Sequence, residues 1–600
     1  MKSFFKIFFA ALLAVLAGSI IYSIIGFVVF AGIIGGVSSS PTYILKDKTV
    51  LKIDLSGSLN ERKVDSPLSS LTGESSIGID DLLSAIKKAG ENEFVKGIYI
   101  KSGSLSTGFA SLEPVRKALL DFKTSGKFIV SYGDSYGQGA YYLASVADNI
   151  ILNPKGSLDF SGISGRFMSV RGAYEKMGVK YQVYKVGTFK SAVEPYIQDK
   201  MSDANREQMS SFVGDIWSHI LTNISESRNL SVETLNAYAD KCLSFIEADS
   251  LVELGMIDKL LYTPDVEKYL KELTETGEKE DLNMASVSDM KSVIDKDRKK
   301  SKDKIAVLYA EGSIVGDDAG DSFLSGSVIT AKEYVKELEK LKNDEDVKAV
   351  VFRVNSGGGS AYASEQIWNA VSELKKVKPI VVSMGDYAAS GGYYISCAAT
   401  SIVAEPTTLT GSIGIFALIP QGEELAKKMG VSFDEVKTNK HSTFGGASFG
   451  IPLLISAMSR PMTSDESAML QKYIETGYDL FISRCADGRS MTKEEIDAIG
   501  QGRVWTGAQA LNIGLVDRLG SLDDAVVLAA EAAGIEDYKL RSYPVQEDFI
   551  TKLLKGSFKE TKLKMLKFAV NEDDYKEQIL IKAMNATEIC VAEMPERVSF

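Results

Sequence analysis

Histidine is nearly absent: a chain of 600 residues carries only His219 and His441. So little imidazole leaves a histidine-based catalytic triad or a histidine-rich zinc site poorly supplied. Cysteine is scarce too. Cys242, Cys397, Cys485 and Cys590 are scattered without metal-ligand spacing, and they are too few for a disulfide scaffold, so buried free thiols are expected. No phosphate-binding glycine loop, zinc motif or acidic metal cluster occurs, and no cofactor is expected. Basic charge is also in deficit. A net charge of −12 speaks against the basic face that a nucleic-acid partner requires. With 45% hydrophobic and 25% charged residues the composition is otherwise globular, and the length calls for two or more domains.

One stretch lacks charge altogether. After Lys2 and Lys6, no charged residue falls between Ile7 and Gly36, and the next charge is Lys46. About 20 apolar residues span a bilayer, so this run suffices even when tilted. Ala17-Gly18-Ser19 resembles a signal-peptide cleavage site, but the apolar run continues past it, beyond the roughly 7–15 residues of a cleaved leader. Residues 1–46 therefore read as a cytoplasmic N-terminus and an uncleaved single-pass anchor, with everything from about Ser38 onward outside the cytoplasm.

The rest is a tandem repeat. SYGDSYGQGAYYLAS at 131–145 matches SMGDYAASGGYYISC at 383–397, with an offset of 252 for Gly133-Asp134 against Gly385-Asp386. The same offset relates NEFVKGIYI at 92–100 to DEDVKAVVF at 344–352, and KMGVKY at 176–181 to KMGVSF at 428–433. A register kept over ninety residues is not chance. The reading is an N-terminal repeat at 47–270, a charged linker or solvated helix at 271–303, a C-terminal repeat at 304–540 and a tail at 541–600. Within each copy, short β-branched runs (347–354, 380–382, 402–404) alternate with helical patterns such as SAYASEQIWNAVSELKK. That alternation predicts an α/β fold of βαβ units around a largely parallel sheet.

Chemistry is suggested at two places. PIVVSMGDYAAS followed by GGYYISCAA puts Ser390 at a strand–loop–helix junction, between Ala388-Ala389 and Gly391-Gly392. Small neighbours admit a substrate backbone, and the Gly391 amide at the helix N-terminus is a donor suited to an oxyanion. Upstream, RVNSGGGSA ends another strand with Gly357 to Gly359, a loop able to aim a second amide at the same spot. From spacing alone the same residues read more simply as two turns and a helix-capping serine. A serine nucleophile needs a base, and a lysine serves only if its charge is suppressed. At an ordinary pKa near 10.4 only about 1 in 2,000 lysines is neutral at pH 7, so the site must be buried. VGTFKSAVEPY offers Lys190 in an apolar setting, although a surface lysine fits the same pattern. Comparing the copies favours chemistry. The counterpart of Ser390 is Gln138 and that of Lys190 is Ser442, so each copy keeps one half of a Ser/Lys pair. Such division predicts a site where the copies meet. His441, one residue from that counterpart, is the competing base, and a catalytically inactive membrane scaffold or a crotonase-like acyl-CoA enzyme are the competing functions. Glu194 reads either as a partner behind the lysine or as a solvated carboxylate, and Tyr393, Tyr394, Trp505 and GLVDRL as packing and capping residues.

FKSAVEP, MGDYAASGGYYIS, LTGSIGIF and GRVWTGAQALNIGLVDRLG, in that order, closely resemble the long, two-repeat form of bacterial signal peptide peptidase A, or protease IV. The resemblance implies a fold like that of the Clp protease and crotonase superfamily. It implies that Ser390 attacks a peptide carbonyl, that Lys190 takes its proton, that Ser412 orients the amine, and that Gly391 and Gly359 supply oxyanion amides. It further implies a homotetramer on the bacterial inner membrane, facing the periplasm or extracytoplasmic space and degrading cleaved signal peptides. One departure stands out: the family's NSPGGS reads NSGGGS here, with Gly357 in the proline position.

Overall fold

The computed structural model describes residues 43–63, 76–293, 301–317, 327–443, 460–545 and the strand Cys590–Glu593. The expected N-terminal anchor lies outside them. Among the described residues no helix is long and apolar enough to cross a membrane.

In the first copy β1 (Thr49–Asn60), β2 (Val95–Ser106), β3 (Phe128–Tyr136) and β4 (Asn149–Leu158) form a parallel sheet in that order, with helix α1 (Phe109–Lys123) between β2 and β3. Strand β5 (Lys180–Val186) and the long helix α2 (Asp203–Arg228) follow. The second copy contains β6 (Lys304–Glu311), β7 (Val347–Ser356), β8 (Gly358–Ser360), β9 (Ile380–Ala389), helix α3 (Gly391–Ser396), β10 (Leu409–Gly411), β11 (Ile415–Gln421), helix α4 (Ser464–Arg489) and β12 (Val504–Thr506). Its sheet runs β12-β10-β9-β7-β6, parallel except for β12. A last strand, β13, is Cys590–Glu593.

The offset read from the sequence recurs in the elements. β2 and β7 start at Val95 and Val347, β3 and β9 at Phe128 and Ile380, α1 and the helix Ala361–Lys375 at Phe109 and Ala361, each pair 252 residues apart. The strands are nearly continuous apolar runs because both faces of a parallel sheet are covered. Alternate residues of β7 feed different cores: Val350, Phe352 and Val354 one side, Ala349 and Val351 the other. The segment read as a linker is folded in part. Met284–Ser286 adds to β1 and Val287–Ser292 is a capped helix, because Ala285 and Met290, set among charges, reach the first copy's core.

The copies share more than a boundary. Ala389, Leu409 and Val504 of the second copy are buried in the core of the first. Arg353 on β7 donates to Glu61 across the junction at 2.9 Å, both side chains being buried. Asp386 at the end of β9 accepts from the amide and hydroxyl of Ser111, in the first turn of α1, at 2.8 and 2.7 Å. A third sheet joins them directly, with β5 antiparallel to β11 from Lys180↔Gln421 to Val186↔Ile415.

This junction carries a pH dependence. Burial, reinforced by the charge of Glu113 and offset in part by Arg353, pushes the Glu405 carboxyl from its usual 4.5 up to about 8, and its Oε1 has no hydrogen-bond partner. Because the folded state then holds a proton that the unfolded chain releases near 4.5, this stability is complete below that value and is lost as pH rises through about 8. Thermal unfolding should therefore show Tm falling between pH 5 and 8, and Glu405→Gln should flatten that fall; an identical slope in the variant would rule the group out.

Candidate active site

The strand β5 delivers the lysine. Immediately after it, Gly187 adopts φ 110°, where an added Cβ would meet the Gln501 carbonyl carbon and oxygen, each at 2.5 Å. That turn sends the chain against the second copy, where the Phe189 amide donates to Gln501 O at 2.8 Å. Lys190 follows, fully buried. Its aliphatic stem lies on Gly502 and Gly414, where an added Cβ would come within 2.6 Å of Lys190 Cβ and 3.2 Å of Lys190 Cδ.

Strand β9 delivers the serine. β9 and α3 are separated by one residue, Ser390, held at φ 55° and ψ −114°. A non-glycine residue there costs about 1–3 kcal/mol and persists only when its surroundings over-determine it. They do: the Ser390 amide donates to Gly411 O at 2.8 Å, and Gly392 sits so close to β7 that a Cβ would lie 2.4 Å from Ser356 O.

The Lys190 amine donates to Ser390 Oγ at 2.8 Å and to Ser412 Oγ and O, both at 3.2 Å; it stands 6.0 Å from the Phe416 ring. Ser390 and Ser412 are as fully buried as the lysine. Burial disfavours an ammonium, and a hydroxyl 2.8 Å away can then give its proton to the amine. Around this pair, Gly391 opens α3 and its amide has no acceptor within the helix. Gly358 and Gly359 adopt φ 104° and 150°; a Cβ on Gly359 would meet Ile314 O at 1.9 Å, so only glycine fits there. Gly357, in the family's proline position, precedes β8.

The remaining sequence candidates fall elsewhere. His441 Nδ1 stands 3.4 Å from Glu466, and His219 is engaged by Glu113 and Asn223. Gln138, the counterpart of Ser390, accepts from the Ser161 and Gly162 amides, and Ser442, the counterpart of Lys190, donates to Asn439 O within a turn. Glu194 is buried rather than solvated. It accepts from the Ser202 hydroxyl at 2.6 Å and from Asn205 at 3.1 Å, tying the lysine loop to the N-terminus of α2. Tyr393 and Tyr394 are core residues, and Thr506 caps a helix through Gln509. Cys397 and Cys485 are buried free thiols, while Cys242 is half-buried.

Sequence reasoning missed Gln208. Its amide on α2 donates to Phe189 O and Ser191 Oγ, both at 2.9 Å, bracketing Lys190, while its Oε1 accepts from Val504 N at 3.2 Å. Val504 pairs with Gly411, next to Ser412, so one side chain couples the lysine loop to the serine strands. No local signal marks a helical glutamine for this role.

A buried hydroxyl at a strand–helix junction, with an amine in hydrogen-bond reach, suits acyl transfer, and comparison with known proteins points the same way. Peptidase family S49 matches residues 121–277 and 372–536, once in each copy. Protease 4 of Salmonella typhi is 36% identical over 496 residues, covering 80% of this chain and 76% of its own. The chloroplastic serine protease SPPA of Arabidopsis thaliana is 31% identical over 465 residues, covering 77% of this chain and 66% of its own. Among solved structures, a ClpP1 point mutant from Listeria monocytogenes covers 37% of this chain and 94% of its own at 14% identity and a TM-score of 0.23. On the family match and the two relatives, the class is a serine peptidase. Within it, the chain belongs to peptidase family S49, alongside the SppA and protease 4 enzymes.

The glycine under the lysine gives a direct test. Gly502 has φ 79°, and its Cβ would overlap the Lys190 backbone at 2.6 Å. Gly502→Ala should displace the amine by a fraction of an ångström to an ångström and lower kcat/KM by about a hundredfold, while circular dichroism stays native. Full activity in this variant would mean that the position of Lys190 does not matter.

Proposed function

We propose that this chain is a membrane-anchored Ser/Lys endopeptidase that degrades cleaved signal peptides and related hydrophobic peptides. The observation that carries this reading is the 2.8 Å approach of Lys190 Nζ to Ser390 Oγ, across the two copies, inside a fully buried site. Neutral Lys190 accepts the Ser390 proton as Oγ bonds to the scissile carbonyl carbon. The oxyanion is held by the amides of Gly391 and Gly359. Collapse of the tetrahedral intermediate breaks the C–N bond, with the lysine returning the proton to the leaving amine. Water, deprotonated by the same lysine, then hydrolyses the ester. Ser412 orients the amine through its hydroxyl at 3.2 Å. No cofactor enters these steps.

The uncharged run from Ile7 to Gly36 supports a single-pass anchor in the bacterial inner membrane, with both copies on the extracytoplasmic side and the substrates close to the bilayer. The resemblance to the two-repeat peptidases supports the Clp and crotonase-like fold, the homotetramer and the signal-peptide substrate. The division into 47–270 and 304–540 accounts for why each copy holds one half of the dyad.

Ser390→Ala and Lys190→Met should each reduce hydrolysis of a fluorogenic apolar peptide to background while leaving thermal unfolding native-like. His441→Ala should keep at least about half the activity. A serine-reactive fluorophosphonate should label Ser390, located by mass spectrometry of the tryptic peptide. Turnover by Lys190→Met at the wild-type rate would sink the dyad, and loss of turnover in His441→Ala would transfer the base to the histidine.

A further inference from the structure

Strand β5, which delivers Lys190, also carries Lys185. This second lysine is half-buried and pairs in register with Phe416, whose ring stands 6.0 Å from the Lys190 amine. The Lys185 ammonium donates to the Lys190 main-chain carbonyl at 3.1 Å. Its own carbonyl accepts from Gln471 of α4 at 3.4 Å, so the strand beneath it is held as well. Burial lowers the pKa of Lys185, and the charge of Glu194 works against that fall.

The other charged and titratable groups around the lysine loop are engaged with partners of their own. Glu194, next along the loop, accepts from Ser202 and Asn205. Arg503, 4.7 Å from the centre of the Phe189 ring, is neutralised by Glu207 of α2 at 2.9 Å. Tyr478 of α4 donates its hydroxyl to Asp497. The carbonyl of Lys190 differs, because it satisfies the Lys185 ammonium without cancelling its charge. An extended lysine carries its amine no more than about 9 Å from its own carbonyl oxygen, which puts the two amines within about 12 Å of each other. A unit charge about 12 Å away, at an effective dielectric constant of about 20, lowers an amine's pKa by about one unit.

We propose that Lys185 is a positioning residue for the base: its ammonium pins the Lys190 carbonyl and sets a positive charge beside the Lys190 amine, which therefore sheds its proton more readily. The proposal rests on the Ser390–Lys190 peptidase reading for its catalytic consequence and on the 3.1 Å contact for its placement. Two features then act on one amine. Burial disfavours the ammonium, and a neighbouring cation disfavours it further.

The full-length enzyme tests this through the pH profile of kcat/KM with a fluorogenic apolar peptide. That quantity rises with pH as the free enzyme's base loses its proton. Lys185→Met and Lys185→Gln each remove the charge, and the glutamine keeps a donor for the carbonyl. Both should move the rising limb up by about one pH unit, lowering kcat/KM about tenfold below the limb and little on the plateau. Lys185→Arg keeps the charge and should leave the limb where wild type has it. A limb that stays put in both neutral variants, whatever the loss of rate, overturns the proposal. A limb that moves as far in Lys185→Arg assigns the effect to packing and overturns it too. A second readout needs no turnover. In Ser390→Ala, the midpoint of Lys190 acetylation by acetic anhydride, followed by mass spectrometry across pH, should rise by about one unit when Lys185→Gln is added. An unmoved midpoint overturns the proposal independently. A moved midpoint in a protein without Ser390-dependent hydrolysis overturns the peptidase reading and leaves the role of Lys185 standing.

Discussion

The junction of the two copies is organised around one lysine amine buried against one serine hydroxyl. Removing an ammonium from water is costly, and the amine is useful as a base only when that cost has driven it neutral. The fold meets the requirement by clamping the lysine loop from three sides. The antiparallel pairing of β5 with β11 fixes where the loop begins. Gln501, Gly502 and Gly414 form the floor on which the stem lies. Gln208 braces the loop from α2, and Glu194 ties the loop to the start of that helix. None of these groups touches the reacting atoms, yet each removes a direction in which the amine could retreat toward solvent.

Such a clamp explains why the two copies are fused so firmly. A 2.8 Å contact between Lys190 and Ser390, one from each copy, survives only if the copies do not hinge, so the junction must behave as an interior. It does: Ala389, the residue before the serine, is packed in the other copy's core, and the buried Arg353–Glu61 pair and the Asp386–Ser111 contact cross the same boundary. Breaking a buried ion pair leaves an unpaired charge worth about 3–5 kcal/mol, which penalises any sliding of one copy on the other. The counterpart positions give local support instead. Gln138 gathers the amides of Ser161 and Gly162, and Ser442 closes a turn.

Much of this was legible in the sequence, for physical reasons. Parallel strands covered on both faces must be apolar throughout, so the runs at 347–354 and 380–382 announced themselves, and the constant offset carried the repeat. The meeting of Ser390 and Lys190 was legible because two copies allow subtraction: each stands where the other copy carries different chemistry, Gln138 and Ser442. What stayed hidden depends on long-range burial. Glu194 reads either as a partner behind the lysine or as a solvated carboxylate until Ser202 and Asn205 are brought to it. Residues 284–292 read as linker because the segment 271–303 around them is charge-dense, although Ala285 and Met290 reach the core and dock them. Gln208 is an ordinary helical glutamine until Val504 and Phe189 arrive on its two sides.

The position of β13 was least legible of all, since a four-residue strand far along the chain has no periodicity to betray it. Long-range pairing alone places it: Gly358, Gly359 and Ser360 pair with it on one side and Phe416 and Ala417 on the other, so it satisfies two strand edges that would otherwise stand open to association with any extended chain.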